Sequence, residues 1–456
     1  MYPIEPKYKP VFSESIILLI LTIGIISYFI IGLGTAPHIP ILLATFLLIA
    51  YGFFRKIEYH HLEAAMIAGA RSGLGAAFLF FLIGILISSW MMSGTIPVLI
   101  TTGFSLIGGT WFYAIVFAIT AIIGVSLGSS LTTTATVGVA FIGMANAFDL
   151  NLAIAAGAIV SGAFFGDKMS PMSDTTNLAS SIIGVDLFTH IKHISLTTIP
   201  AFIISFILFA ILSPELIATS GNLDEYKDAL AGTGLLHFNS WVPLLVLIIC
   251  TLFKVPAFIS LAITSLIASI LANVVHGINW TDIWNIWFDG FEAQTGFAPV
   301  DELLTRGGIN SMLFTVSLVL LALAFGGLLF VTGIIPSILT TIQTKLKKVR
   351  SVVASTAATA IGVNVFIGEQ YLSILLTGET FKGIYERMEI PKKVLSRTVE
   401  DAGTVINPLV PWSVCGVFIA DVLQVDVIHY LPFAFFCLLS PVITILFNGR
   451  NIQRQG

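Results

Sequence analysis

The chain has 456 residues, of which 56% are hydrophobic and only 10% charged, and its mean hydropathy is +0.98. Soluble domains carry about 25% charged residues, so this polar complement is too small to cover the apolar surface, and lipid is the solvent for most of the chain. A net charge of −4, from 21 Lys and Arg against 25 Asp and Glu, argues against a nucleic-acid binder. Cys250, Cys415 and Cys437 lie in or beside apolar stretches and give neither a disulfide nor a zinc framework.

A bilayer helix needs about 20 apolar residues. Windows meeting that demand lie near 15–34, 38–54, 74–93, 111–128, 150–166, 194–213, 240–275, 309–332, 351–363, 414–428 and 431–447. The first follows a polar leader without a basic n-region and reads as a retained helix, not a cleaved signal. The stretches 95–107, 131–147, 334–343 and 370–380 are short or broken by Gly, Thr and Pro, as re-entrant or discontinuous segments are. The expectation is an all-α polytopic membrane protein with about 10–13 membrane segments.

Lys and Arg near span ends set orientation. Lys7, Lys9, Arg55, Lys56, Arg71, Lys345, Lys347, Lys348, Arg350, Arg450 and Arg454 place their loops and both termini in the cytoplasm. The 214–239 loop, with Glu215, Asp224, Glu225 and Asp228 against Lys227, fits the outside, as does the stretch with Asp282, Asp289 and Glu292. Lys382, Arg387, Lys392, Lys393 and Arg397 also ask for the inside. That conflicts with a strictly inverted arrangement if 364–381 dips in and returns on the outer side.

Three landmarks recur in order. Ser93-Gly-Thr-Ile-Pro97 matches Thr332-Gly-Ile-Ile-Pro336 at a spacing of 239, and Pro171 matches Pro408 at 237. Ile67–Gly73 resembles Phe288–Gly296 if the second half carries an insertion around 298–311. Equivalent loops carry opposite charge character, as inverted topology requires: 104–110 is uncharged where 345–350 is basic, and 55–71 is basic where 282–302 is acidic. The expected organisation is N-terminal helices (1–56), a first repeat (57–213), a connection (214–278), a second inverted repeat (279–447) and a cytoplasmic tail (448–456). Carriers built this way bind substrate near the midplane, where each half contributes a Gly/Pro-interrupted segment.

The densest polar segment is Gly166-Asp-Lys-Met-Ser-Pro-Met-Ser-Asp-Thr-Thr-Asn177. Pro171 breaks a helix here and frees carbonyls, which within hydrocarbon requires burial in protein or a cavity. Carboxylates, hydroxyls and free carbonyls are hard oxygen ligands suited to a small alkali cation, while nearby helix N-termini suit an anion. Asp167 beside Lys168 reads as an ion pair. The second break is Glu400-Asp-Ala-Gly-Thr-Val-Ile-Asn-Pro-Leu-Val-Pro-Trp412, and Asn364–Gln370 and Gly128–Thr136 read as hairpin tips. Glu369, flanked by apolar residues, is the sharper acid of these. Gly124-Val-Ser-Leu-Gly128 has the spacing of a hydrolase nucleophile elbow but ends a membrane helix. Gly69/Gly73 and Gly162/Gly166 are close-packing pairs. The eight histidines fall mainly at span ends and read as interfacial; His190 and His193, one turn apart, also suit pH sensing. Trp280, Trp284 and Trp287 read as an interfacial belt.

Gly166–Asn177, followed by Gly184–His190 and Thr198–Phe202, closely resembles the signature region of the NhaC family of sodium/proton antiporters. Glu400–Trp412 resembles that family's second stretch, Gly368–Tyr371 matches it too, and the resemblance spans about residues 60–447. It implies a secondary antiporter of the bacterial inner membrane that exchanges Na⁺ for H⁺, with no cofactor beyond those coupling ions and with room for a homodimer. Relatives carrying the signature also exchange malate for lactate or carry amino acids, which is the alternative. The polar breaks and the resemblance together make Asp174 the central ligand or proton carrier, with Na⁺ at Asp174, Thr175 and Asn177. Ser170, Ser173, Thr176 and Thr133 assist, Asp167 and Lys168 form a switchable pair, and Glu369, Gln370, Glu400, Asp401 and Asn407 complete the site.

Overall fold

The computed structural model describes residues 4–106, 111–214, 220–346 and 348–447. The expected tail at 448–456 with Arg450 and Arg454, together with Glu215, Lys347 and residues 107–110, lies outside the described residues. Helices α1 (Phe12–Ser27) and α2 (His38–Phe54) precede α3 (Tyr59–Ser72) and α4 (Leu74–Met92). Next come α5 (Thr95–Leu106), α6 (Phe112–Leu127), α7 (Ser130–Thr133), which runs through a π-helical turn into α8 (Val139–Ala147), α9 (Leu152–Met169), α10 (Asp174–Ile183) and α11 (Leu187–Leu212). Then α12 (Ser220–Gly232), α13 (Val242–Leu252) and α14 (Ala257–His276) lead to α15 (Trp280–Asp289), α16 (Ala298–Leu304) and α17 (Ile309–Val331). The chain closes with α18 (Ile334–Lys345), α19 (Val349–Ile367), α20 (Gln370–Arg387), α21 (Lys392–Gly403), α22 (Val414–Leu423), α23 (Val427–Tyr430) and α24 (Phe435–Phe447). Among the described residues, the one strand-like pairing is an isolated bridge between Phe291 and Arg306.

Among the described residues, seven helices are long and apolar enough to cross a bilayer, and up to nine spans result when each of two bent pairs counts as one. The segment ending at Leu409 meets α22 at 46°, and 427–433 meets α24 at 55°. The expected 10–13 exceeds this because α2, α5, α6 and α13 are apolar but only 10–17 residues long. At 1.5 Å per residue such helices fall short of a hydrocarbon core about 30 Å thick.

Glycine sets the tightest seam. A Cβ at Gly166 would stand 2.5 Å from Gly124 Cα, and one at Gly162 would stand 2.6 Å from Phe117 O, so α9 lies backbone to backbone on α6. Gly69 does the same for α3 against Leu323 O of α17. The α6–α9 seam ends where Asp167 and Lys168 begin.

Capping chemistry recurs at a constant spacing of 240. Left-handed glycines Gly128 and Gly368 end α6 and α19. Ser129 and Glu369 then cap the next helices with side chains that accept an amide three residues on. Ser173 and Ser413 cap α10 and α22 in the same way, and both of these ten-residue helices end on a left-handed residue, Gly184 or Gln424. Gly94 and Gly333, both left-handed and one residue closer at a spacing of 239, precede the twelve-residue α5 and α18. This register pairs Pro171 with Pro411 rather than with Pro408, which the motif spacing suggested. The insertion expected around 298–311 contains α16.

Packing also removes the charge conflict. Tyr385 Oη lies 3.3 Å from Thr356 Oγ1, and Ile384, Ile390 and Val394 share an apolar cluster with Leu346, Val352 and Val353. Helix α20 therefore returns beside α19, and the basic 382–397 segment sits at the same end of the molecule as 346–353. At another end the Tyr226 and Phe297 rings meet at 5.2 Å and join the two acidic stretches.

Replacing Gly166 with Ala forces backbone against backbone at the seam and is expected to cost about 1–3 kcal/mol. Gly383→Ala, where nothing lies within 4 Å of the added carbon, is expected to be neutral or to stabilise by up to about 1 kcal/mol. Thermal melting of the two purified variants in detergent checks the contrast.

Candidate functional site

The first break follows directly from Pro171. Carbonyls freed at the end of α9 need donors, and the surrounding polar residues supply them. Thr176 Oγ1 donates to Lys168 O (3.2 Å), and Asn177 Nδ2 donates to Pro171 O (3.0 Å) and Ser173 O (2.7 Å). Ser170 Oγ accepts from Met172 N (3.2 Å), and Ser173 Oγ accepts from Thr176 N (3.3 Å). Ser170, Ser173, Thr176 and Asn177 thus hold the backbone of the break, and the Asn177 amide is committed to it.

Lys168 is fully buried, and its Nζ bonds Asp401 and Ser440 Oγ (2.8 Å) while lying 5.5 Å from the Phe436 ring centre. Thr197 Oγ1 donates to the second Asp401 oxygen at 2.8 Å. The expected Asp167–Lys168 pair is therefore replaced by a pair between α9 and α21. Adjacent helical residues point in different directions, so these two neighbours serve different surroundings.

Asp167 instead accepts from Ser130 Oγ (2.8 Å) and lines a small cleft of ≈ 40 Å³ with Asp174, Thr175, Gln370 and Tyr371. Leu79, Ile83, Ala257 and Leu261 form its apolar wall. Asp174 is exposed at this cleft. Glu400 is fully buried; its Oε1 accepts from Thr404 Oγ1 (3.0 Å) and Thr175 Oγ1 (3.2 Å). Its Oε2 has no hydrogen-bond partner among the described residues, and neither has Gln370 Oε1. Asp167 lies within electrostatic reach of Asp174 and Glu400.

The second break is closed by amides. Asn407 Nδ2 donates to Asn364 Oδ1 (2.8 Å), Asn364 Nδ2 donates to Gly403 O (2.6 Å), and Asn407 Oδ1 accepts from Cys415 N (2.9 Å). Glu369 caps α20 through Leu372 N (2.6 Å), and Thr133 Oγ1 bonds Ser129 O (2.8 Å) within its own turn. Ser126 of the elbow-like motif is exposed and donates to Ile122 O (3.1 Å). His190, expected at an interface, is fully buried.

Sequence reasoning missed Thr197, Ser440 and Thr404. Ser440 is a single hydroxyl inside an apolar run and Thr197 is one of three neighbouring hydroxyls with Ser195 and Thr198, and only the packing of α11 and α24 on α21 brings Thr197 and Ser440 to Asp401.

Helices that break inside an apolar bundle and carry buried carboxylates at the breaks are an arrangement that secondary transporters use. The sequence profile of the Na⁺/H⁺ antiporter family matches residues 162–448. The chain is 42% identical to the Na(+)/H(+) antiporter NhaC of Alkalihalophilus pseudofirmus, over 98% of this chain and 97% of that protein. It is 37% identical to the Na(+)/H(+) antiporter NhaC of Bacillus subtilis strain 168, over 97% and 98% of the two chains. To the malate-2H(+)/Na(+)-lactate antiporter of the same strain it is 31% identical, over 96% and 94%. The chain belongs to the Na⁺/H⁺ antiporter family and is a multi-pass membrane transporter, not an enzyme.

Removing one partner of a buried ion pair strands the other charge at a cost of about 3–5 kcal/mol, whereas replacing both by apolar groups is often neutral. Lys168→Met is therefore expected to unfold far more readily than Lys168→Met/Asp401→Leu. Thermal or urea unfolding in detergent reads the difference.

Proposed function

We propose that the chain exchanges Na⁺ for H⁺, with Asp167 and Glu400 as the carboxylates that the two ions share. The observation that carries this reading is a charge imbalance. Lys168 neutralises Asp401, while Asp167 and Glu400, both buried, have hydroxyl donors but no cation in hydrogen-bond contact among the described residues. An ionised carboxylate in such surroundings is unfavourable until a cation or a proton neutralises it. Thr175, which bonds Glu400 and lines the cleft beside Asp167, and Ser130 add hydroxyl oxygens suited to Na⁺. Asp174 at the cleft is the first carboxylate that an entering ion meets.

The constant 240-residue spacing of caps supports two inverted repeats in 57–213 and 279–447, with α6–α8 and α19–α20 as re-entrant hairpins. The basic end, holding 346–353 and 382–397, is then cytoplasmic, and both termini lie on that side. A relative named for malate and lactate keeps organic-anion exchange as the competing class. The geometry supports it less, because the Lys168 ammonium that would hold an anion is already bonded to Asp401 and Ser440.

In proteoliposomes bearing a pH gradient, Na⁺ is expected to move protons and malate is not. Asp167→Asn and Glu400→Gln each remove a charged hydrogen-bond acceptor worth about 1.5–3 kcal/mol, roughly 10–100-fold in apparent Na⁺ affinity. Because one proton displaces one Na⁺, lowering the pH through the titration of these carboxyls is expected to weaken apparent Na⁺ affinity about tenfold per unit. Dissipation of the gradient by malate in the absence of Na⁺ sinks the reading.

A further inference from the structure

His190 has no part in the site described above, yet it is fully buried on α11. Its Nδ1 lies 3.0 Å from Ser396 Oγ, and Ser396 Oγ itself donates to Lys393 O at 3.1 Å. With the serine proton so committed, Ser396 accepts from Nδ1–H. That fixes the neutral tautomer and leaves Nε2 as a bare lone pair, and Nε2 has no hydrogen-bond partner among the described residues. An unpaired buried acceptor costs stability, so its retention calls for an explanation.

The surroundings of the ring supply one. Of the elements packed on α11, α6 and α24 carry no charged residue, α10 carries only Asp174, and α9 carries Asp167 and Lys168. Asp401 of α21 and Lys168 are the charges within electrostatic reach of His190. One turn on, His193 is half-buried, its Nδ1 is also without a partner, and it faces Lys393, Arg397 and Asp401. The two imidazoles therefore form a ladder from the Lys168–Asp401 pair toward the basic end of the molecule.

We propose that His190 relays protons between the ion site and the basic face, with His193 as the next step. The proposal rests on the Na⁺/H⁺ reading. A proton displaced when Na⁺ enters adds to the Nε2 lone pair, the imidazolium turns about its Cβ–Cγ bond, and the same proton leaves Nε2 for the unpaired Nδ1 of His193 and from there for the basic end. One proton enters and one leaves, the Nδ1 proton stays on His190 throughout, and the return of the ring to Ser396 restores the starting tautomer.

His190→Asn keeps an N–H where Nδ1 donates to Ser396 but cannot titrate. In proteoliposomes this variant is expected to slow Na⁺-driven proton movement about 10–100-fold, with a flattened pH profile. Exchange of labelled for unlabelled Na⁺, which needs no net proton movement, should stay close to wild type. Ser396→Ala, which leaves the imidazole in place, should show the same split more weakly. Unchanged proton rates and pH profile in His190→Asn overturn the proposal. Equal loss of both activities with a lowered melting temperature also overturns it, because it marks a packing residue. Failure of wild-type vesicles to move protons under Na⁺ overturns instead the exchange reading beneath it.

Discussion

A lysine buried among membrane helices and bonded to a carboxylate 233 positions away is the interaction on which the rest of the structure depends. Taking both charges out of water is costly, and their attraction offsets that cost only when the remaining donors and acceptors are satisfied. Thr197 and Ser440 meet that need, and the Phe436 face lies against the ammonium. The pair ties the end of α9, one turn before the first break, to α21, which leads into the second. Two helices that each lose backbone hydrogen bonds at a break are thereby held in fixed relation without continuous helix between them. Among the described residues Lys168 is the one buried lysine, so its commitment to Asp401 also decides what is left over for the neighbouring acids.

The same backbone device occurs twice with different side chains. At the spacing of 240, Asp167 corresponds to Asn407, Ser130 to Gln370 and Gly124 to Asn364. At the first break a carboxylate faces a cleft with a hydroxyl beside it. At the second the corresponding amide is locked to another amide, and that pair is tied to Gly403 O and Cys415 N, so no charge needs an ion. Glu400, displaced by seven residues from Asn407, restores a carboxylate to that half but aims it at Thr175 of the first. The chemistry is therefore asymmetric on a repeated backbone, and both carboxylates converge on α10.

Much of this was legible because breaks have local causes. Pro171, the Ser173 cap and the density of hydroxyls lie within twelve residues, and capping follows from such short spacings. The Gly162/Gly166 seam was legible for the same reason. What stayed hidden depends on which helix packs where. Lys168 next to Asp167 reads as a pair in one dimension, but its partner lies on α21. Pro408 and Pro411 both fit a Pro-in-a-polar-break pattern, and only the helix register chooses between them. Glu369 looked like an ion-site acid because its neighbours are apolar, yet its carboxylate caps α20, a role that needs the left-handed Gly368 to be seen. His190 follows a polar loop and so looked interfacial, whereas the packing of α21 and α24 on α11 buries it.

On the exchange reading, the charge arithmetic also bears on coupling. Lys168 and Asp401 cancel as a pair, which leaves Asp167 and Glu400 as two sites of one negative charge each. Each is neutral when it holds a proton or a Na⁺ and charged when it holds neither. In a low-dielectric interior the doubly charged, empty state carries both the desolvation cost and the mutual repulsion of two carboxylates. A carrier that must cross between its two orientations is then disfavoured when empty and favoured when loaded with either ion, which is what obligatory exchange requires. A second free lysine near Asp167 would remove that penalty and let the empty carrier return, so confining Lys168 to Asp401 serves coupling as well as architecture.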